Sequence, residues 1–124
     1  MTHPEVQRRR RERAERIGVA RTWARKLADQ RAVHAVVVVG SVARGDFNKW
    51  SDLDVLVVAE DLPDSGRERL ALLHDGAPPG LQPVGWTPAE LAQRRRRRDP
   101  IAREADAVGV VVFGALPTER TDGT

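Results

Sequence analysis

The chain has 124 residues, 40% of them hydrophobic and 31% charged, with 21 Lys and Arg against 18 Asp and Glu for a formal charge of +3. This is the length of one ordinary domain, able to bury roughly two thirds of its unfolded surface, with little room for a second folded module. It contains no cysteine, which excludes a disulfide framework, thiolate zinc ligation and a cysteine nucleophile.

The first thirty residues read as a basic helix. Ala14, Ile17, Ala20, Ala24, Leu27 and Ala28 recur at helical spacing with Trp23 beside them. The arginine-rich residues 1–13, with the run Arg8–Arg11, are expected to attach loosely, and packing to tighten from Ala14. His34–Val39 is a short β-branched run, apolar on both faces, as a central strand covered on both sides requires. It stops at Gly40-Ser41. Asp52–Ala59 reads as a second strand that opens with two acids. Pro63 and Gly66 break the chain before a short helix over Arg67–His74, and the run Asp75–Gly80 forces a loop. Leu81–Trp86 reads as a weaker strand whose Pro83 belongs on an edge or at a bulge. Thr87 and Glu90 form a capping box with Pro88 at the first helical position, starting a helix that runs into Arg94–Arg98. Asp99-Pro100 starts another helix ending near Gly109, Val110–Phe113 is a last strand, and residues 116–124 read as a loose tail. The expected fold is α/β (α+β), a small mixed sheet flanked by helices, with the folded domain spanning 14–115. Its longest apolar run, Ala35–Val39, is far short of the ~20 residues of a spanning helix, and no secretory core precedes it. We expect a soluble, cytoplasmic protein with no membrane partner.

The chemistry-bearing segment runs from Gly40 to Asp54. Asp52 and Asp54, at i and i+2 on a strand, leave the same face with Cα atoms about 6.6 Å apart, a spacing suited to holding a hard cation such as magnesium. The ten residues between Ser41 and Asp52 are too few for a helical crossover. The two strands are therefore expected to be antiparallel neighbours, with Ser41 beside Asp52. Gly40 allows close approach to a bulky anion, the residues after Ser41 can turn helically with free N–H groups toward it, and Arg44 adds a forked cation. A phosphate cradle facing a metal-binding acid pair is the machinery of phosphoryl or nucleotidyl transfer. A P-loop reading of Gly40–Gly45 fails, because Asp46 stands where Lys and Ser/Thr are needed.

Gly40-Ser41, Ala43-Arg44-Gly45 and Ser51-Asp52-x-Asp54 resemble the GSxARGxxxxxSDxD signature of the nucleotidyltransferase superfamily, in particular its minimal (MNT-type) domains. LQPVGWTPAEL and DPIAREADAVGVVVFG are similar to that group's later elements, so the likeness spans His34 to Gly114. It implies magnesium in a two-metal site, Asp52 and Asp54 as metal ligands and catalytic carboxylates, and a nucleoside triphosphate, with ATP the expected one, held by Gly40, Ser41, Arg44 and Ser51. It further implies transfer of AMP to a hydroxyl acceptor, and an antitoxin role beside a small helical HEPN-type toxin; that partner, or a homodimer, would supply the acceptor surface that the chain itself lacks. The family carries a third carboxylate on the next strand. A right-handed crossover makes Leu81–Trp86 parallel to the Asp52 strand, which puts Gln82 at that position. An amide is no general base, so Asp46 or Asp75 must substitute, or the domain binds nucleotide without turnover. A third reading is an arginine-rich nucleic-acid binder built on the runs Arg8–Arg11 and Arg94–Arg98. His3, His34 and His74 show no ligand spacing, and Trp23, Trp86 and Phe113 are assigned to the core.

Overall fold

The computed structural model describes residues 3–118; the last part of the expected tail lies outside the described residues. In chain order the elements are α1 (Pro4–Gln30), β1 (Val33–Val39), α2 (Gly40–Arg44), β2 (Leu53–Ala59), α3 (Gly66–His74), β3 (Leu81–Trp86), α4 (Pro88–Arg96), α5 (Pro100–Ala107) and β4 (Val110–Gly114). The four strands form one mixed sheet in the order β3-β2-β1-β4, with β1 antiparallel to both β2 and β4 and with β2 parallel to β3. Pro83 thus lies on an edge strand, where its missing N–H disrupts no ladder. No helix among the described residues is long and apolar enough to cross a membrane.

The β-branched run of β1 is buried on both faces because each face is covered by its own helices. Val36 and Val38 join Val55 and Val57 in a cluster with Ile17, Trp23 and Ala24 of α1 and Leu73 of α3. Val37 and Val39 join Leu56 and Val58 against Leu91 of α4 and Ala102 and Ala105 of α5, with Trp86. Trp23 and Trp86 are buried and Phe113 packs partly buried against the first cluster. Strand alternation therefore sends Asp54, in step with Leu56 and Val58, to the α4–α5 face of the sheet.

The first half of α1 is held by polar contacts. Its buried apolar stripe starts at Ile17 and Ala14 is exposed, so the stripe begins one turn later than the periodicity suggests. In that half, arginines reach the segment after β1. Arg13 donates to the carbonyls of Val42 (2.8 Å) and Ala43 (2.9 Å), Arg9 to Phe47 (2.7 Å) and Arg16 to Ser51 (2.7 Å). The guanidiniums of Arg9 and Arg16 also lie 5.5 and 5.2 Å from the centroid of the buried Phe47 ring. Three arginines of a charged-looking segment thereby satisfy the carbonyls of α2 and its loop.

On the other edge, Arg69 joins three elements. It donates to the carbonyls of Pro63 (2.9 Å) and Gly85 (3.0 Å) and to Glu90 Oε1 (2.6 Å), and Glu90 completes the capping box with Thr87. Burial pushes the Glu90 carboxyl up, but the hydrogen bonds from Arg69 and Thr87 outweigh it and hold Glu90 below the usual range. Glu90 therefore contributes stability above the ordinary carboxylate range, and that contribution fades as pH falls through its lowered value. Arg69→Ala should cost about 2 kcal/mol in urea denaturation at neutral pH. The gap between wild type and variant should narrow below about pH 4.

Candidate active site

The site begins where β1 leaves the sheet. Val39 is the last paired residue of β1 and its partner is Asp54. Gly40 takes φ 72°, a left-handed conformation, and turns the chain into α2. A Cβ on Gly40 would lie 2.5 Å from Asp54 Oδ2, so the Asp54 carboxylate fills the space that any other residue here would occupy. The five-residue helix α2 closes on Gly45, whose N–H donates to the Ser41 carbonyl at 2.8 Å. Gly40, Ser41 and Asp54 therefore share one mouth at the end of β1. The sequence placed the two strands as antiparallel neighbours with their acids at this end, and that is the observed register.

Asp52 is exposed just before β2, whereas Asp54 is half-buried. Burial, followed by the charges of Asp52 and Glu104, raises the Asp54 carboxyl above its ordinary value, and Arg44 opposes the shift. Among the described residues neither acid forms an ion pair. Two mutually repelling carboxylates without a cationic side chain on them fit a divalent hard cation. No group of three His, Cys, Asp or Glu among the described residues forms a ready-made metal cage. The donor set fits magnesium, which takes one or two carboxylates and completes its shell with phosphate and water.

Glu104 of α5 is the part of the site that sequence reasoning missed. Gly40 N–H donates to Glu104 Oε1 at 2.6 Å, and Arg44 Nη1 donates to Glu104 Oε2 at 2.5 Å. Arg44 Nε also reaches Asp46 Oδ2 at 3.1 Å. A carboxylate far along the chain thus holds the Gly40 N–H and the Arg44 guanidinium together. Its only sequence signal was position: α5 turns Ala102 and Ala105 into the core, which leaves Glu104 beside Ala105 on the rim of that face. Removing its charge lessens the repulsion on Asp54 and lowers that carboxyl. Glu104→Gln should therefore move the titration of the Asp54 carboxyl to lower pH, measured by carboxyl-carbon NMR across the acidic range.

The remaining predicted positions are distributed as follows. Gln82 stands opposite Asp54 in the parallel register of β2 and β3, exposed, at the place assigned to the third carboxylate. Asp46 is paired with Arg44. Asp75 caps the end of α3 and lines a cleft with Lys26, Gln30 and Arg31 that includes neither Asp52 nor Asp54. The Ser51 hydroxyl accepts from Asn48 N–H at 2.9 Å and so belongs to the turn leading into β2. The run Arg94–Arg98 divides: Arg94 pairs with Asp99 and lies 5.2 Å from the Trp86 ring centroid, Arg95 pairs with Asp106, and Arg96, Arg97 and Arg98 are exposed.

A family model for the nucleotidyltransferase domain matches residues 21–104. Comparison with curated proteins gave no match. Among solved structures, a protein from Sulfolobus solfataricus described as a candidate nucleotidyltransferase is 17% identical, with a TM-score of 0.64 over 83% of this chain and 84% of its own. A structure described as a toxin–antitoxin with AMP-PNP is also 17% identical, with a TM-score of 0.49 over 77% and 73% of the two chains. At such identity the likeness to the first of these is one of fold.

Proposed function

We infer the reaction from one premise: the chain belongs to the nucleotidyltransferase domain family. The proposed activity is magnesium-dependent transfer of a nucleoside monophosphate, AMP from ATP, to a hydroxyl. The observation that carries it is the Asp54 carboxylate lodged against Gly40 at the head of α2, which puts one acid of the pair at the glycine–serine turn.

In this reading Gly40 and Ser41 hold the β- and γ-phosphates, and Arg44 swings from Glu104 to them. Asp52 and Asp54 would hold the metal, which when bound neutralises charge developing on the α-phosphate and makes the attacking hydroxyl more acidic. The acceptor oxygen bonds to the α-phosphorus, the bridging bond to the β-phosphate breaks, and pyrophosphate leaves. The hydroxyl proton passes to water, because the Gln82 amide opposite Asp54 accepts no proton at neutral pH. We assign the acceptor hydroxyl to a small helical HEPN-type partner, on the motif resemblance alone.

The test uses ATP labelled at the α- or the γ-phosphate, with magnesium and cell extract as the source of acceptor. Label from the α-phosphate should become covalently fixed while label from the γ-phosphate is released. Transfer of the γ-label would make the protein a kinase and overturn the reading. Gln82→Glu restores a carboxylate opposite Asp54 and should raise transfer by at least about tenfold without tightening ATP, since positioned general bases contribute about 10²–10⁴. No gain in rate would show that the amide costs the reaction nothing.

A further inference from the structure

We propose that Trp50 is the stacking platform for the base of the nucleoside triphosphate, a role that rests on the triphosphate reading of the site. Trp50 is 81% exposed, whereas Trp23 and Trp86 are 6% and 5% exposed and the other exposed large apolar side chains do not exceed 49%. An indole left in water adds nothing to the core and offers its ring surface to a ligand.

The turn that carries it is nevertheless held in place. Trp50 N–H donates to Asn48 Oδ1 at 2.8 Å, Asn48 N–H to Ser51 Oγ at 2.9 Å, and Ser51 N–H to the Asn48 carbonyl at 3.0 Å. From α1, Arg16 binds the carbonyls of Ser51, Asn48 and Lys49 at 2.7, 3.3 and 3.3 Å. The buried ring of Phe47 anchors the start of the turn. An exposed aromatic on a braced turn is preorganised, which lowers the ordering cost of binding.

A cleft of about 360 Å³ lies against this indole, and Asp52, Leu53, Val19, Pro79 and Gly80 are among its walls. One wall is therefore a proposed metal ligand, two residues along the chain from Trp50; Val19, Leu53 and Pro79 add apolar surface, and Arg16, Lys49 and Ser51 add polar groups. No residue of α2 lines the cleft. In this proposal the nucleoside lies there, past Asp52, while the β- and γ-phosphates lie against Gly40 and Ser41. The Lys49 ammonium lies over one face of the indole, 5.1 Å from its centroid, and adds positive charge for a ligand that is anionic overall. A planar, polarisable ring joined through a sugar to a phosphate at Asp52 matches all of these features, and base–aromatic stacking tolerates any base because each has a π-face.

The probes are α,β-methylene-ATP, which cannot be cleaved at the reacting bond, and inorganic tripolyphosphate, which offers the phosphates without a base, each with magnesium. The analogue should shield Trp50 from acrylamide quenching, and tripolyphosphate should bind without shielding it. Trp50→Ala should weaken the analogue by about tenfold or more and leave tripolyphosphate within about twofold, and Trp50→Phe should recover most of the loss. Unchanged analogue affinity in Trp50→Ala would overturn the platform while leaving the triphosphate site standing. If neither probe binds the wild type, the triphosphate reading itself fails and the platform falls with it.

Discussion

Asp54→Asn is expected to reduce nucleotidyl transfer by on the order of 10³-fold while making the metal-free protein more stable. The loss follows from removing one of the two carboxylates that would hold the metal, whose charge stabilisation in such reactions is worth several kcal/mol. The gain follows from the raised Asp54 carboxyl, held up first by burial and then by Asp52 and Glu104. A carboxyl raised by folding costs stability once it is ionised, and that cost is present at neutral pH and disappears as pH falls through the raised value. The isosteric amide removes the charge. The variant should melt roughly 2 °C higher at pH 7, the change produced in a domain of this size by about 0.5 kcal/mol, a small figure because solvent screens a half-buried group. At low pH, where the wild-type carboxyl is protonated, the two melting temperatures should converge. A thermal melt and a label-transfer assay on the same preparations check both halves; a variant that melts lower and still transfers label would contradict the electrostatic account of the mouth.

The second large effect is expected at Gly40. Gly40→Ala places a methyl 2.5 Å from Asp54 Oδ2, at a backbone φ of 72° that side chains disfavour. The left-handed conformation costs about 1–2 kcal/mol for a non-glycine residue. The clash also forces the Asp54 carboxylate out of its position, and a displacement near 1 Å in a catalytic group is enough to cost about 10²-fold in rate. Gly45→Ala separates the two contributions. Gly45 has φ 89°, but a methyl added there would meet no atom within 4 Å. Both variants should lose stability in urea, Gly40→Ala the more because of its clash, and only Gly40→Ala should lose transfer by about a hundredfold or more. Equal loss of activity in both would mean that backbone strain, and not the Asp54 contact, sets the effect.

What the sequence revealed and what it hid divide along physical lines. Strands β1 and β2 were legible because Val36–Val39 and Val55–Val58 are β-branched or apolar at every step, a pattern that a two-sided core imposes. The antiparallel pairing of β1 with β2 followed from the short spacer, and the position of Gln82 from the handedness of the α3 crossover. The role of Glu104 was hidden because a single polar side chain in an amphipathic helix has no periodicity, and its partners Gly40 and Arg44 lie on the far side of the intervening elements in sequence. The arginines of α1 misled for a related reason. A charged helix start suggests solvent, yet Arg9, Arg13 and Arg16 satisfy loop carbonyls that no sequence pattern marks as needing partners. Trp50 was easily read past, because aromatic residues in a short chain are assigned to the core by default, and two of its three tryptophans do lie there.

The glycine–serine turn and the Asp52–Asp54 pair are proposed to bind one metal-bound triphosphate together. Isothermal titration with α,β-methylene-ATP, with magnesium and then with the metal chelated, tests it most directly. Binding should weaken by about a hundredfold or more without magnesium and become insensitive to magnesium when both Asp52 and Asp54 are changed to Asn. Equal affinity with and without the metal, or an undiminished magnesium effect in the double variant, would contradict it.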